Sequence, residues 1–384
     1  MEYTEVVDCS RMKIGLEISG ALGVGGYRRY VEDIVNALTE AAPEIDFYLY
    51  AAFWGGFPDR AKSLNIHPRS NVHWILKRVP QRLVLPLDEY FGLGIQNALL
   101  RPYNLDLLHG LCSILPQVTG IKTVMTMHYA GEWPFRGLWN RFYNVRLNSA
   151  SMERADRVIA ISDYTLGEIR KTWPLPGERF AIVHHGGPSV EFRPAEPEEK
   201  KPQDFKPYML SVGAIKVPKN PVLVIKAFAA FKKNNPESAH RLLFAGPDGD
   251  QAVAAREEVR GSGLEKSVEF LGAISSERIP ELYRHAAVVL CPSTTEGFAF
   301  PVLEAFASGR PVIGVNRAAL PETIGDAGLL CEPTPESLSE AMGKVVNDED
   351  LCSRLTAAGR IRAKEFSWAN AAQKTLAVYK GLLS

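Results

Sequence analysis

The chain has no excess of either charge: 44 lysines and arginines face 44 acids in 384 residues, a formal net charge of zero. A broad nucleic-acid footprint needs a surplus of basic residues, so that class of partner is set aside. Cysteine is scarce. Cys9, Cys112, Cys291, Cys331 and Cys352 are widely spaced, odd in number and contain no Cys-x-x-Cys pair. Such a set builds neither a disulfide framework nor a zinc knuckle, and it suits a reducing cytosol. No apolar run approaches the ~18–20 residues of a spanning helix. The first eight residues are acidic and hold no apolar core, so no secretory signal is read there. The expected location is cytoplasmic, with one qualification. Residues 74–85 (Trp-Ile-Leu-Lys-Arg-Val-Pro-Gln-Arg-Leu-Val-Leu) mix basic and apolar side chains. They read either as a strand end with a helix lead-in or as a peripheral anchor at the inner face of a membrane.

Two familiar phosphate motifs are also missing. Gly23-Val-Gly25-Gly-Tyr-Arg28 starts like the dinucleotide fingerprint but carries Arg28 where its third glycine belongs. The second strand, Phe-Tyr-Leu-Tyr-Ala-Ala-Phe over 47–53, ends without the acid that would hold a nicotinamide cofactor's ribose. A dehydrogenase is therefore excluded, and no Walker loop occurs. The Gly25–Gly26 turn still reads two ways, as backbone N–H groups brought to an anionic ligand or as a bare tight turn.

What is present is strand–helix alternation, twice over. Strands are expected at 12–18, 47–52, 72–76, 105–108, 123–128, 157–162 and 180–184, with a helix over 27–38 after a glycine-rich turn. Residues 188–207 hold five prolines and the charged run Glu198-Glu-Lys-Lys201, marks of an exposed connector. A second series follows, with strands at 208–212, 242–245, 268–271, 288–291, 312–315 and 328–331. Helices fit 221–233, 279–285, 302–308, 335–346 and 350–365. The α/β pattern implies two doubly wound, Rossmann-like domains, 1–187 and 208–366, joined by the linker 188–207. Ligands of such sheets sit beyond the carboxyl ends of the strands. That rule selects Gly20–Gly26, His128, Ser162, Gly186, Gly213–Lys219, Gly246–Asp248 and Thr294–Glu304.

Two Asp-x-Asp triplets test for a metal. Asp348-Glu-Asp350 lies between helices and reads as a cap. Asp248-Gly-Asp250 follows an apolar strand, where a divalent-ion site would stand, but a Pro-Asp-Gly turn capping the next helix explains it as well. No metal is expected.

The most informative segment is Glu296-Gly-Phe-Ala-Phe-Pro-Val-Leu-Glu304. Pro301 suits the first helical turn, where its missing N–H costs nothing. The N–H groups of Gly297, Phe298 and Ala299 then sit ahead of a positive helix end, a favourable place for diphosphate or sugar oxygens. Glu296 and Glu304 can both point at one ligand as hydroxyl acceptors. From spacing alone, a solvated turn acid and a helix-dipole partner explain the two glutamates equally well.

The segment resembles the hallmark of the retaining glycosyltransferases of family 4, also called group 1, whose fold is GT-B. Other stretches match that family in order: Gly25-Gly-Tyr-Arg-Arg-Tyr-Val, Val124-Met-Thr-Met-His128, Ala155-Asp-Arg-Val-Ile-Ala-Ile-Ser162, Val212-Gly-Ala-Ile-Lys-Val-Pro-Lys-Asn220, Leu320-Pro-Glu-Thr-Ile-Gly-Asp-Ala-Gly and Phe366-Ser-Trp. The resemblance implies two domains facing across a cleft, with a last helix, 368–383, crossing back to the first.

It also implies roles. Lys219 would neutralise the donor diphosphate, with Gly213 and Lys216 in the same loop. Glu304 would hold the ribose. Glu296 with the N–H groups of Gly297, Phe298 and Ala299 would hold the transferred sugar, and His128 would reach that sugar from the first domain. His184 and His185 read as packing or hinge residues, and Gly25 and Gly26 as an acceptor or phosphate loop. The implied reaction moves a hexose, mannose among the candidates, from GDP-mannose or a UDP-hexose to a glycan or lipid-linked saccharide. It keeps the anomeric configuration and needs no cofactor. The chain is closest to a subgroup that builds envelope polysaccharides. Two other readings share the architecture, a nucleotide-sugar 2-epimerase and a non-catalytic nucleotide-sugar-binding protein. Three departures from the family stand out: Ala214 replaces an arginine, with Lys216 a candidate substitute; Tyr129 replaces an aspartate; and Ala299 replaces a glycine.

Overall fold

The computed structural model describes residues 11–23, 26–128, 138–196, 199 and 205–384. Gly25 and Tyr129 lie outside them. The chain forms two compact units, Met1–Gly186 with Ser367–Ser384, and Gly187–Phe366.

The first unit is built on a seven-stranded sheet in the order β3-β2-β1-β4-β5-β6-β7. Its strands are β1 Lys13–Glu17, β2 Asp46–Ala52, β3 Val72–Lys77, β4 Leu107–Gly110, β5 Lys122–Met127, β6 Arg157–Ala160 and β7 Phe180–Ile182. Every pairing is parallel. Strands of this kind are covered on both faces and so read as continuous apolar runs rather than alternating ones. The register pairs Glu17 of β1 with Tyr50 on one side and Gly110 on the other. That alignment sets the end of β1 and the residues after β4 and β5 along one carboxyl edge.

The helix Gly26–Ala41 buries Tyr30, Val31, Ile34, Val35 and Leu38, the stripe expected of a helix laid on a sheet. The last helix, Trp368–Leu383, belongs to this unit and shares a core with it through Ala371, Ala372, Leu376 and Tyr379. Burying a large apolar side chain such as Leu376 contributes about 1.5–3 kcal/mol. Trp368 can dock only because residue 186 is glycine: a Cβ there would lie 2.3 Å from Trp368 Cγ.

The second unit carries a six-stranded parallel sheet in the order β10-β9-β8-β11-β12-β13. Its strands are β8 Tyr208–Val212, β9 Arg241–Ala245, β10 Val268–Phe270, β11 Val288–Cys291, β12 Val312–Val315 and β13 Leu329–Cys331. The order reverses between β8 and β11, which marks the topological switch point of a doubly wound sheet.

The segment 188–207, expected as an exposed connector, falls within this unit, and where it is described Ser189, Val190, Glu191 and Glu196 are exposed. Phe192 packs edge-on against Tyr283 with ring centroids 5.5 Å apart, and Glu199 bridges Arg193 and Arg284. Ring burial and paired charge hold a proline-rich stretch that composition alone marks as loose. No helix among the described residues is long and apolar enough to cross a membrane.

Candidate active site

In the second unit the chemistry collects at the switch point. After β8 the backbone turns at Gly213, with φ +131°, a conformation that favours glycine. A Cβ there would come within 3.0 Å of Lys219 Cε, so glycine also makes room for the lysine stem. The chain then makes a single 3-10 turn, Val217–Lys219, before the helix Pro221–Asn234. Asn220 links the two in the left-handed region with φ 46°. This turn points Lys219 back to the strand ends. Its ammonium pairs with the carboxylate of Glu296, which comes from the loop after β11. The main-chain N–H of Thr294 donates to the Pro218 carbonyl at 3.1 Å, fastening the two loops to each other.

Burial alone would lower the Lys219 pKa, but the Glu296 carboxylate outweighs it and holds the group above its ordinary value. The lysine is therefore charged at neutral pH. An ammonium has three N–H donors, so bonding Glu296 leaves capacity for a second anionic oxygen. Cys291 at the end of β11 lines the same recess, together with Glu296, Ala299 and Leu320. Burial pushes its thiol up to about 12, which keeps it neutral despite the nearby lysine.

Glu304 sits in the helix Phe300–Ala307 and is 6% exposed. Tyr283, fully buried on the helix Ile279–His285, donates its hydroxyl hydrogen to Glu304 Oε2 at 2.6 Å. The loop between the two glutamates is pinned on its main chain. The Ala319 N–H donates to the Glu296 carbonyl at 3.1 Å, and the Thr323 hydroxyl donates to the Phe298 carbonyl at 2.6 Å. Phe298 itself is buried, edge-on to Phe300 and Phe366. Pro301 stands in the first turn of its helix, and no side chain caps that helix's start. Ala299 is the N-cap and adopts φ 70°, ψ 61°. A non-glycine residue in that left-handed region costs about 1–2 kcal/mol.

Lys216 is exposed at the start of the 3-10 turn. The aspartates of the first triplet are occupied structurally. Asp250 accepts the Val217 N–H at 3.0 Å, and Asp248 pairs with Arg256 at 2.9 Å. Asp250 thus caps the lysine turn rather than its own following helix. Asp348 caps the helix Glu349–Lys364 by accepting the Leu351 N–H at 2.8 Å.

In the first unit, Gly26 opens its helix and His128 follows β5. His128 donates its Nε2 hydrogen to the Leu111 carbonyl at 2.7 Å. Its ring stands edge-on to Tyr27 and Tyr30, with centroids 4.9 and 4.5 Å away. Burial lowers its pKa to about 4, against the opposing pull of the Leu111 carbonyl. The imidazole is therefore neutral, and Nδ1 carries the acceptor lone pair. Ser113, left-handed with φ 62°, accepts the His128 N–H at 3.3 Å and the Tyr27 hydroxyl hydrogen at 3.3 Å. Behind this group His109 bonds both Tyr379 of the last helix, at 2.6 Å, and Thr126, at 2.8 Å. His185 stacks on Trp368 with centroids 5.8 Å apart, a packing position. Ser162 caps the helix Asp163–Thr172 by accepting the Thr165 N–H.

The structure thus joins Lys219 to Glu296 and holds Glu304 beside them in the second unit. Sequence reasoning missed Tyr283, Thr323, Cys291, Ser113, Tyr27 and Tyr30. Only Tyr27 and Tyr30 carried a signal, as two aromatics at helical spacing directly after the glycine turn.

Two family models cover most of the chain: Glycosyltransferase Family 4 over residues 24–187 and Glycosyl transferases group 1 over 192–362. The O-antigen chain mannosyltransferase B of Escherichia coli is 28% identical over 237 residues, 60% of this chain and 62% of its own length. The chain thus spans less than two thirds of that relative. A D-inositol 3-phosphate glycosyltransferase of Acidothermus cellulolyticus is 25% identical over 405 residues, covering 96% of this chain and 88% of the relative. Among solved structures, sucrose-phosphate synthase from Thermosynechococcus elongatus superposes with a TM-score of 0.74 at 21% identity, over 97% of this chain and 99% of that one. Anabaena HepE in complex with UDP and glucose gives 0.74 at 17% identity, over 96% and 100%. These likenesses establish the GT-B fold.

Proposed function

The chain belongs to the glycosyltransferases, pairing a family 4 domain with a group 1 domain, and from that premise we propose that it moves a hexose from a nucleotide-diphosphate sugar to a saccharide or lipid-linked acceptor with retention of configuration. One observation carries the reading: a charged, half-buried lysine held by a glutamate at the switch point of the second sheet, with a second, tyrosine-bound glutamate on the adjoining helix. Two carboxylates accept hydrogen bonds from sugar and ribose hydroxyls, and one ammonium donates to a diphosphate. Mannose is the favoured sugar, and envelope polysaccharide the favoured product, by likeness to the Escherichia coli relative.

In this reading Lys219 takes a diphosphate oxygen while still bonded to Glu296. Glu304, aimed by Tyr283, takes the ribose hydroxyls. Glu296 and the backbone at Phe298 and Ala299 hold the sugar. His128 enters as a neutral acceptor for a sugar hydroxyl, since its Nε2 hydrogen is committed to Leu111. The bond from the anomeric carbon to the diphosphate oxygen breaks with both electrons leaving on oxygen. The acceptor hydroxyl bonds the same carbon on the same face, and its proton passes to the departing phosphate. Lys219 stabilises the charge that builds on that oxygen, without a metal ion.

The test is a thermal-shift panel of GDP, UDP, ADP and dTDP, each with and without EDTA. A ligand that binds only the native state raises the melting temperature by mass action. One nucleotide should stabilise the protein, equally with EDTA. No response to any of the four overturns the donor site, and a response abolished by EDTA overturns metal independence.

A further inference from the structure

Among the described residues, positive φ falls on nine glycines, two asparagines, one serine and two alanines, Ala299 and Ala318. Glycine adopts that region without strain, and asparagine or serine can bond the local backbone from it. Alanine has only a methyl and gains nothing locally. Both alanines stand at one place. Ala299, with φ 70°, follows Glu296 by three residues, and Ala318, with φ 55°, precedes Ala319, whose N–H holds the Glu296 carbonyl. Strain kept on both sides of one glutamate points to a demand of the site rather than of the fold.

Stability does not choose alanine at 299. Left-handed strain disfavours it, while burial of one methyl and the freedom that glycine has in the unfolded chain favour it. These effects are of similar size and leave the two residues nearly level. Ala299 is 4% exposed and lines the same recess as Lys219, Glu296 and Pro301. About 10 Å³ of space remains there, room for one water at most. The methyl has nowhere to retreat. Thr323 holds the Phe298 carbonyl, Ala319 holds the Glu296 carbonyl, and Phe298 lies edge-on to Phe300 and Phe366. A rigid methyl thus stands beside the carboxylate assigned to the sugar's ring hydroxyls.

We propose that Ala299 is a specificity-determining residue whose methyl narrows the floor of the sugar site. The donor is then one unsubstituted hexose with its hydroxyls directed at Glu296, and its epimers and 2-acetamido sugars are turned away. The inference rests on the donor-site reading above and deepens it from a nucleotide sugar to the kind of sugar. Its scale is that of a single carbon: one methylene more or less in a packed pocket changes discrimination by about 10–200-fold. Glycine at this position leaves the same backbone N–H groups and the same glutamate in place, and it gives room to a larger or differently set substituent.

Calorimetric titration of the full chain tests it, with the nucleoside diphosphate that stabilises the protein and with that nucleotide's glucose, galactose, mannose and N-acetylglucosamine forms. The readout for each variant is its affinity for each sugar nucleotide divided by its affinity for the bare nucleotide. The parent chain should favour one hexose over the other sugars by about tenfold or more. Ala299→Gly, which the left-handed backbone accommodates, should shrink that spread about tenfold, with N-acetylglucosamine gaining most. Ala299→Ser keeps a Cβ and should retain the spread. Ala318→Gly relieves strain at a residue outside the recess and should retain it too. No spread in the parent chain, an unchanged spread in Ala299→Gly, or an equal collapse in Ala318→Gly would each overturn the inference and leave the donor site standing. A bare nucleotide that does not bind would remove the donor site itself, and this inference with it.

Discussion

Tyr283 and Glu304 meet at 2.6 Å, phenol oxygen to carboxylate oxygen, across the two helices that flank the candidate donor site. Both side chains are buried. A buried carboxylate needs hydrogen-bond donors, and the one that Tyr283 supplies also fixes which way the carboxylate faces. A tyrosine 21 residues before Glu304 in the chain, on a different helix, thus sets the geometry of the second glutamate.

Tyr283→Phe should lower stability by about 1.5–3 kcal/mol, the usual worth of a hydrogen bond to a charged group. It should also raise the nucleotide Kd, because Glu304 loses its aim. Urea denaturation and calorimetric titration read the two effects separately. A stability loss with unchanged nucleotide affinity would remove Glu304 from the donor site.

Lys219→Ala should weaken nucleoside-diphosphate binding more than nucleoside binding. The charged lysine is the group in the second unit's recess matched to phosphate, and its removal leaves Glu296 facing the ligand's negative charge. Equal losses for both ligands would show that Lys219 does not contact the diphosphate.

Ala299→Gly should raise stability or leave it level, within about 1 kcal/mol, because relief of the left-handed strain is partly offset by glycine's greater freedom when unfolded. Ala305→Gly, in the interior of the same helix, should cost about 1 kcal/mol. A marked loss at 299, seen by urea denaturation, would mean that the buried methyl is packed to advantage.

Acid should destabilise the first unit. Burial lowers the His109 pKa to about 3, with His128 adding to the shift, so the native state binds fewer protons than the unfolded chain. The contribution is fully present above the ordinary value of 6.5 and is lost as pH falls toward 3. At pH 5 the loss amounts to about 2 kcal/mol for this one histidine. His128, lowered to about 4, acts in the same direction. Denaturation curves at neutral pH and pH 5 should show the drop, and His109→Gln should flatten it. An unchanged slope in that variant would place the acid sensitivity elsewhere.

Asp250→Ala should cost about 1 kcal/mol by uncapping the Val217 N–H that starts the lysine turn. Activity should persist in EDTA. A gain in stability on adding divalent ions, lost in this variant, would assign the triplet to a metal instead.

The strand positions were legible because buried parallel strands write themselves as short apolar runs, and every expected strand of both sheets appears within a few residues of its place. The Lys219 turn and the Glu296–Glu304 segment were legible as a loop and a helix start at strand ends. Their pairing was not, since Lys219 and Glu296 lie 77 positions apart and meet only when β8 and β11 become neighbours. The second unit's claim on 188–207 was equally hidden, because ring packing and paired charge overrode a composition rich in proline.

The sequence alone determined that two doubly wound domains form, where their strand ends fall and which glutamates and lysine stand there, because local propensity and apolar patterning act over a few residues. Tertiary structure decided that Lys219 is charged and shared with Glu296, that Tyr283 aims Glu304, that Ala299 carries backbone strain, and that His109 and His128 are neutral. Those properties depend on burial and on partners remote in sequence, which no local pattern records.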